Sequence, residues 1–323
     1  MKILAAVVTF NRRELLRRCL RNIQGQTRRP DVILVINNAS TDGTDKMLRD
    51  ECISFITQEN IGPAGGWSRA IQHALDEGFD AIWLMDDDGY PEAHALGVLE
   101  AQLTAEVACA SSIVLREDRP THFVFPVATL DKAGLPIIVG ARRKLTTLER
   151  LLEQAPNGTY PFAYLFNGAL INLAVACKVG NVNKDFYIYG DEVDYFFRLR
   201  QAGKVISVLE AVQFHPDVSQ RPYTSAKLYY YVKNTMILNG WHMNARTIRN
   251  VLTILAGLGR TAKRNGILKV LSYLLGADAP VLYFAIARGL SGKIGRDFRD
   301  WTKRSDGPPE SVQAGRSASL QKS

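Results

Sequence analysis

The chain opens on a continuous apolar run, residues 3–9, that includes Val7 and Val8. A run without alternation predicts a strand buried on both faces, the habit of parallel sheets. Asn11 stands where it can cap a helix, with Glu14 at the reciprocal position of a capping box. Leu15, Leu16, Cys19, Leu20 and Ile23 then fall on one helical face. A second apolar run, 32–36, completes a β-α-β unit.

The alternation continues. A helix over 44–49 leads to a short strand at 53–56. A helix over 64–77, with Trp67, Ile71 and Leu75 at helical spacing, leads to a strand at 81–85. A helix over 91–103 and a strand at 107–115 follow. Strands alternating with helices predict an open, mainly parallel α/β sheet. Residues 116–157 mix charge, Pro and Gly, and read as loops and an irregular hairpin over the sheet. Order returns at 163–173, in a helix over 191–202 that stops at Gly203, in a strand at 205–209, and in helices from 224 onward. Residues 305–323, rich in Pro, Gly and Ser, read as a disordered tail. No internal repeat is evident.

In open α/β sheets ligands bind beyond the carboxyl ends of the strands. Each of the first four strands is followed there by a polar stretch: Thr9-Phe10-Asn11, then Asn37-Asn38-Ala39-Ser40-Thr41-Asp42-Gly43-Thr44, then Asn60-Ile61-Gly62-Pro63-Ala64-Gly65-Gly66, then Asp86-Asp87-Asp88-Gly89. Any one alone is an ordinary turn or helix cap. Together, on one edge, they read as a site. Asn side chains can read a base or ribose, glycines admit a close backbone approach, and adjacent carboxylates can hold a hard divalent ion against a diphosphate. A dinucleotide-binding GxGxxG is absent after the first strand, where TFNRREL stands, and no P-loop occurs. The expected cofactor is therefore Mg²⁺ or Mn²⁺ held by aspartates.

Charge and cysteine content sharpen this only slightly. The 323 residues carry a formal net charge of +8, which suits acidic partners such as nucleotide phosphates or an anionic membrane face. A nucleic-acid partner is not expected, because no helix-turn-helix, zinc or RNA-recognition signature accompanies the charge. Cys19, Cys52, Cys109 and Cys177 stand far apart, which argues against a zinc site or a disulfide framework and for free thiols in a reducing cytosol. The amino-terminal run is short and ends in Asn-Arg-Arg-Glu, so it reads as a buried strand and not as a secretory signal.

Five segments in order, VVTFNRRELLRRCL, VINNASTDGT, NIGPAGGWSRAI, WLMDDDGYP and YIYGDEVDYFFRLRQAG, resemble the motifs of family 2 glycosyltransferases with the GT-A fold. The resemblance covers about residues 1–240 and implies a nucleotide-sugar donor, a divalent metal and inversion at the anomeric carbon. Carried over by position, Thr9, Asn11, Asn37, Asn38, Asn60 and Gly65 line the nucleotide pocket. Asp86, Asp87 and Asp88 hold ribose, metal and donor sugar, and His215 completes a metal shell with Asp86 and Asp88. Glu192 falls at the position of the base, with Asp191 the neighbouring candidate. Asn167 and Gly168 resemble the acceptor-side loop. Asn37 departs from the Asp usual at its position, which loosens the identity of the base. The bland reading of the second acidic group is that it starts a helix and pairs with Arg198 or Arg200.

Within the family, a triple Asp after WLM leans to galactofuranosyltransferases using UDP-galactofuranose. A dTDP-rhamnose-dependent rhamnosyltransferase is the alternative, and KLYYYVKN (227–234) resembles a segment of both. A noncatalytic nucleotide-sugar-binding protein on the same fold is the other-class alternative. The expected role is elongation of a glycan or lipid-linked glycan in surface polysaccharide synthesis. Residues 241–304 form a separate basic helical region in this reading. Twelve Lys and Arg lie between 246 and 304, against Asp278, Asp297 and Asp300, with apolar stretches between them. That pattern suits a membrane surface, an acceptor or a dimer contact, at the cytoplasmic face.

Overall fold

A computed structural model describes residues 1–140, 143–219, 221 and 223–299. The expected tail at 305–323, and Lys303 and Arg304 of the basic region, lie outside them. The first elements follow the apolar pattern: β1 (Ile3–Thr9), α1 (Arg13–Gln24), β2 (Val32–Asn37), α2 (Thr44–Asp50), β3 (Ser54–Thr57), α3 (Pro63–Asp76) and β4 (Ala81–Asp86). β1 pairs in parallel with β2 and β4, and β2 with β3. The four strands therefore end on one edge.

The second half is more mixed: β5 (Tyr90–Pro91), α4 (Ala95–Gln102), β6 (Val107–Arg116), β7 (Arg119–Ala128), β8 (Lys144–Thr147), α5 (Leu148–Gln154), β9 (Thr159–Tyr160), β10 (Asn167–Asn172), α6 (Leu173–Val179), a single 3₁₀ turn at Lys184–Phe186, α7 (Asp191–Ala202) and β11 (Lys204–His215). Four helices follow: α8 (Ser225–His242), α9 (Arg246–Asn265), α10 (Ile267–Leu275) and α11 (Ala279–Leu290). The sheet runs β3-β2-β1-β4-β10-β6-β11-β5. β10 is antiparallel to both neighbours, whereas β11 is parallel to β6.

The unbroken apolar runs have a physical cause. Leu4, Ala6 and Val8 face Trp67, Ala70 and Ile71 of α3, while Ile3, Ala5 and Val7 face Leu16, Leu20 and Ile23 of α1. With both faces covered, alternation has no role.

The structure differs from several expectations. Asn11 does not cap α1: it adopts φ 53° and its Oδ1 accepts from Thr41 N–H at 2.7 Å, while Arg12 stands at the cap position without a side-chain capping bond. Glu14 pairs with Arg13 and Arg17 instead of closing a capping box. The helix expected from residue 91 begins at Ala95, because Tyr90–Pro91 pairs antiparallel with the end of β11. Residues 116–157 hold the expected irregular hairpin, β7 with β8, but β7 also pairs with β6, and Phe123, Val127, Leu145 and Leu151 share a small core. The expected boundary at 240 falls in the last turn of α8, whose Leu228, Tyr229, Val232 and Met236 pack with Tyr273, Val281, Leu282 and Ala285 of α10 and α11.

Candidate active site

Two acidic groups meet at the carboxyl edge of the sheet. The first is the triplet after β4. Thr9 at the end of β1 donates to Asp87 Oδ2 at 2.7 Å. Arg12, on the turn into α1, reaches Asp87 Oδ1 at 2.9 Å and Asp88 Oδ2 at 2.8 Å. Arg221, beyond β11, reaches the same Asp88 oxygen at 2.6 Å, and Arg18 donates to the Asp88 carbonyl at 2.8 Å. Gly89 is closely packed, since a Cβ there would lie 2.8 Å from Gln213 Nε2 and 3.2 Å from the Phe214 carbonyl oxygen.

His215 ends β11 and is buried against the triplet. Its Nδ1 lies 2.7 Å from the Pro216 carbonyl, an acceptor, so Nδ1 carries the proton. Its Nε2 lies 2.9 Å from Asp88 Oδ1, a buried oxygen with no hydrogen-bond donor. Two acceptor atoms facing each other call for a proton or a cation between them. Burial pushes the Asp88 carboxyl up, but the bond from His215 and the charges of Arg12 and Arg221 outweigh it and hold it well below the ordinary range. Asp86 and Asp87 are pushed up, first by burial and then, for Asp86, by the neighbouring carboxylates.

The oxygen and imidazole donors suit Mn²⁺ or Mg²⁺. Asp88 and His215, 2.9 Å apart, could form the nucleus of such a site. Asp86 is near but not joined to them, and among the described residues no three His, Cys, Asp or Glu side chains are gathered tightly enough to hold an ion by themselves. A divalent ion taking one or two protein ligands and completing its shell with phosphate oxygens fits that geometry.

The second group sits at the start of α7. Glu192 Oε1 accepts from Leu165 N–H at 2.7 Å. One residue on, the Phe166 carbonyl accepts from Asp86 N–H at 2.9 Å. The Leu165–Phe166 pair thus ties Glu192 to the end of β4, close enough that its charge helps to raise Asp86. Burial pushes Asp191 up to about 7. Burial and then the charge of Asp191 push Glu192 up to about 7, against the pull of the Leu165 and Phe166 amides. No cation among the described residues pairs with either. The bland role belongs to Asp194, which binds Arg198 at 2.9 Å and His242 at 3.0 Å, whereas Arg200 binds the carbonyls of Ala133 and Gly134.

The remaining candidates divide. Asn37 is fully buried, with its Oδ1 on Ser40 N–H and its amide on Asp45, so local bonds occupy it. Asn38 accepts from Gln58 at 2.9 Å, and Asn60 accepts from Gly62 N–H at 3.0 Å. Gly65 and Gly66 have packing reasons: a Cβ would lie 2.2 Å from Ile61 Cγ1 and 2.5 Å from Val8 Cγ1 respectively. Asn167 and Gly168 begin β10 beside the triplet. Asn167 Oδ1 is buried without a partner, and a Cβ on Gly168 (φ 88°) would lie 3.0 Å from Ser112 Oγ and 3.1 Å from Gln213 Oε1. Arg12, Arg18 and Arg221 were not among the expected site residues. Their only signal was a basic excess near acidic loops, since the bond from Arg221 to Asp88 spans 133 positions.

The fold and this paired acidic site define a glycosyltransferase of the GT-A class. The glycosyl transferase family 2 model matches residues 5–163. Galactofuranosyltransferase GlfT1 of Mycolicibacterium smegmatis is 32% identical over 222 residues, 66% of this chain and 70% of that one. GlfT1 of Mycobacterium tuberculosis is 32% identical over 226 residues, with the same coverage. The chain belongs to glycosyl transferase family 2. Among solved structures, GalNAc-T7 with UDP, GalNAc and Mn²⁺ aligns with TM-score 0.54 at 14% identity, over 73% of this chain and 48% of its own. Mannosyltransferase PcManGT of Pyrobaculum calidifontis, with GDP-Man and Mn²⁺, aligns with TM-score 0.52 at 15% identity, over 90% and 84%. Both likenesses speak to the fold.

Proposed function

We propose that this glycosyltransferase moves galactofuranose from UDP-galactofuranose to a glycan or lipid-linked glycan acceptor, with inversion, in surface polysaccharide synthesis. The observation that carries the reading is the tether through Leu165 and Phe166, which sets an unpaired Glu192 beside the aspartate triplet. Glu192, raised to about 7, is poised to take the proton of an acceptor hydroxyl near neutral pH. The acceptor oxygen bonds to the anomeric carbon as the bond from that carbon to the diphosphate breaks on the opposite side. Asp191 is the second candidate for the proton. Asp88 and His215, with Asp86 beside them, would hold Mn²⁺ or Mg²⁺. The bound ion would neutralise the departing diphosphate. Arg12 and Arg221 are placed to release Asp88 and add to that neutralisation. The lean to galactofuranose draws support from the 32% identity to the two mycobacterial galactofuranosyltransferases.

A peripheral seat on the inner face of a membrane is part of this proposal. Ile248, Val251 and Leu255 of α9 and Leu268, Leu271 and Leu275 of α10 are exposed, among Lys and Arg side chains that complement anionic headgroups. Among the described residues no single helix is long and apolar enough to cross a membrane, and the pair α10–α11 bends by 64°. An interfacial seat suits that shape. Sedimentation with anionic vesicles tests it: absence of salt-sensitive binding counts against it.

The donor is tested by thermal unfolding with UDP, dTDP, GDP and ADP, each with Mn²⁺ and with EDTA, because a ligand of the native state raises the midpoint. A UDP shift that EDTA removes is expected, followed by turnover of UDP-galactofuranose. Preference for dTDP would redirect the proposal to rhamnose.

A further inference from the structure

The five residues before α7 carry an unusual backbone. Tyr187 has φ 61° and ψ −64°, closed by Ile188 N–H on the Phe186 carbonyl at 2.7 Å, which is the rare and strained form of the γ-turn. Tyr189 has φ 60° and Gly190 φ 106°. Gly190 is needed for more than its φ, since a Cβ would lie 2.8 Å from Phe186 Cδ1 and 3.2 Å from Asn234 Cβ. This turn delivers Asp191 and Glu192, and bulky residues hold left-handed conformations only where the surroundings impose them.

Asn234, fully buried on α8, is what imposes them. Its Nδ2 lies 2.9 Å from the Phe186 carbonyl, 3.0 Å from that of Ile188 and 2.7 Å from that of Tyr189. Three carbonyl oxygens converge on one amide, and its two protons satisfy them together. Its Oδ1 is buried without a partner, so the side chain is spent wholly on donation. Without the amide, the carbonyls of Ile188 and Tyr189 would lose this donor and that of Phe186 would keep only Ile188 N–H, so the turn would relax toward ordinary φ.

We propose that Asn234 is a positioning residue for proton abstraction: its amide gathers the carbonyls of Phe186, Ile188 and Tyr189 and so fixes the strained turn that aims Glu192 at the acceptor. The inference rests on the reading of Glu192 as the base. It gives a role to the last residue of KLYYYVKN, which the donor site does not use. A displacement of about 1 Å at a reacting group can cost roughly a hundred-fold in rate.

The test uses the full chain carrying Asn234→Ala. Hydrogen exchange is read on peptides spanning 186–192, UDP with Mn²⁺ is scored by thermal shift, and turnover is followed with UDP-galactofuranose. Expected are faster exchange in 186–192, an unchanged UDP shift, a KM for donor within about twofold, and kcat lower by roughly a hundred-fold. Tyr189→Gly, which removes the cost of the left-handed backbone at a half-exposed residue, should restore part of kcat in that background. A merely structural role would not give this rescue. If Asn234→Ala does not fold, Asn234→Ser keeps one donor and should show an intermediate loss. Unchanged exchange, full kcat, or a loss shared equally by donor binding and turnover would overturn the inference. If the wild-type chain fails to turn over UDP-galactofuranose, the donor reading falls, while exchange in 186–192 still decides whether Asn234 holds the turn.

Discussion

Two acids of the site, Asp88 and Glu192, are built from the same chemistry and tuned in opposite directions. Asp88 is buried among Arg12, Arg221 and His215 and stays ionised. Glu192 is half-buried beside Asp191 with only backbone amides for partners, and its carboxyl rises to about 7. One environment maintains a charge that can meet a cation. The other keeps a carboxyl near its midpoint at neutral pH, as the proposed base requires. Environments that separate carboxyl pKa values assign acid–base roles more firmly than residue type does.

The comparison breaks most sharply at Glu192. Glu192→Gln keeps the oxygen that accepts from Leu165 but cannot take a proton. Turnover should fall by roughly a thousand-fold, with the UDP shift in Mn²⁺ intact. Persistence of turnover would move the base to Asp191, where Asp191→Asn should then abolish it. Asp88→Asn attacks the other half. It should remove the Mn²⁺-dependent nucleotide shift and lower kcat/KM by about a hundred-fold. An unchanged EDTA-sensitive shift would displace the metal from Asp88. Smaller still is the pH effect: kcat/KM of the wild-type chain should climb below about pH 7 and level off above it. That limb should be missing from the residual activity of Glu192→Gln.

Much of this was legible in the sequence because it is local. Apolar runs gave the first four strands, and their carboxyl ends gave the triplet. The acids before Val193 marked the second group. What escaped is nonlocal. Arg12 and Arg221 meet Asp88 only after folding, across 76 and 133 positions. Asn11 looked like a cap because the competing donor, Thr41 N–H, comes from another loop. Gly65 suggested an open approach to ligand, yet Ile61 fills that space. An irregular hairpin was expected over 116–157, but the bounds of β7 and β8 were not legible, because β7 is half-exposed and lacks a clean period.

Stability against pH gives the smallest and most discriminating test, because the two groups carry opposite signs. Asp88 is depressed in the folded state, so its contribution is present above the unfolded carboxylate pKa, about 4, and is lost as pH falls below it. Glu192 is raised from 4.5 to about 7, so its contribution is present below the unfolded value and is lost as pH rises through about 7. Asp88→Asn should therefore lower Tm at pH 8, by a gap that narrows in acid. Glu192→Gln should raise Tm at pH 8 relative to the wild-type chain by about 2–4 °C, and the gain should shrink by pH 5. Opposite slopes in a Tm series from pH 2 to pH 8, the Asp88→Asn gap changing below about pH 4 and the Glu192→Gln gap between about pH 4.5 and 7, would establish the division without any substrate. Parallel slopes would mean that Glu192 is solvated and ionised like an ordinary surface acid, and that the base must be sought elsewhere.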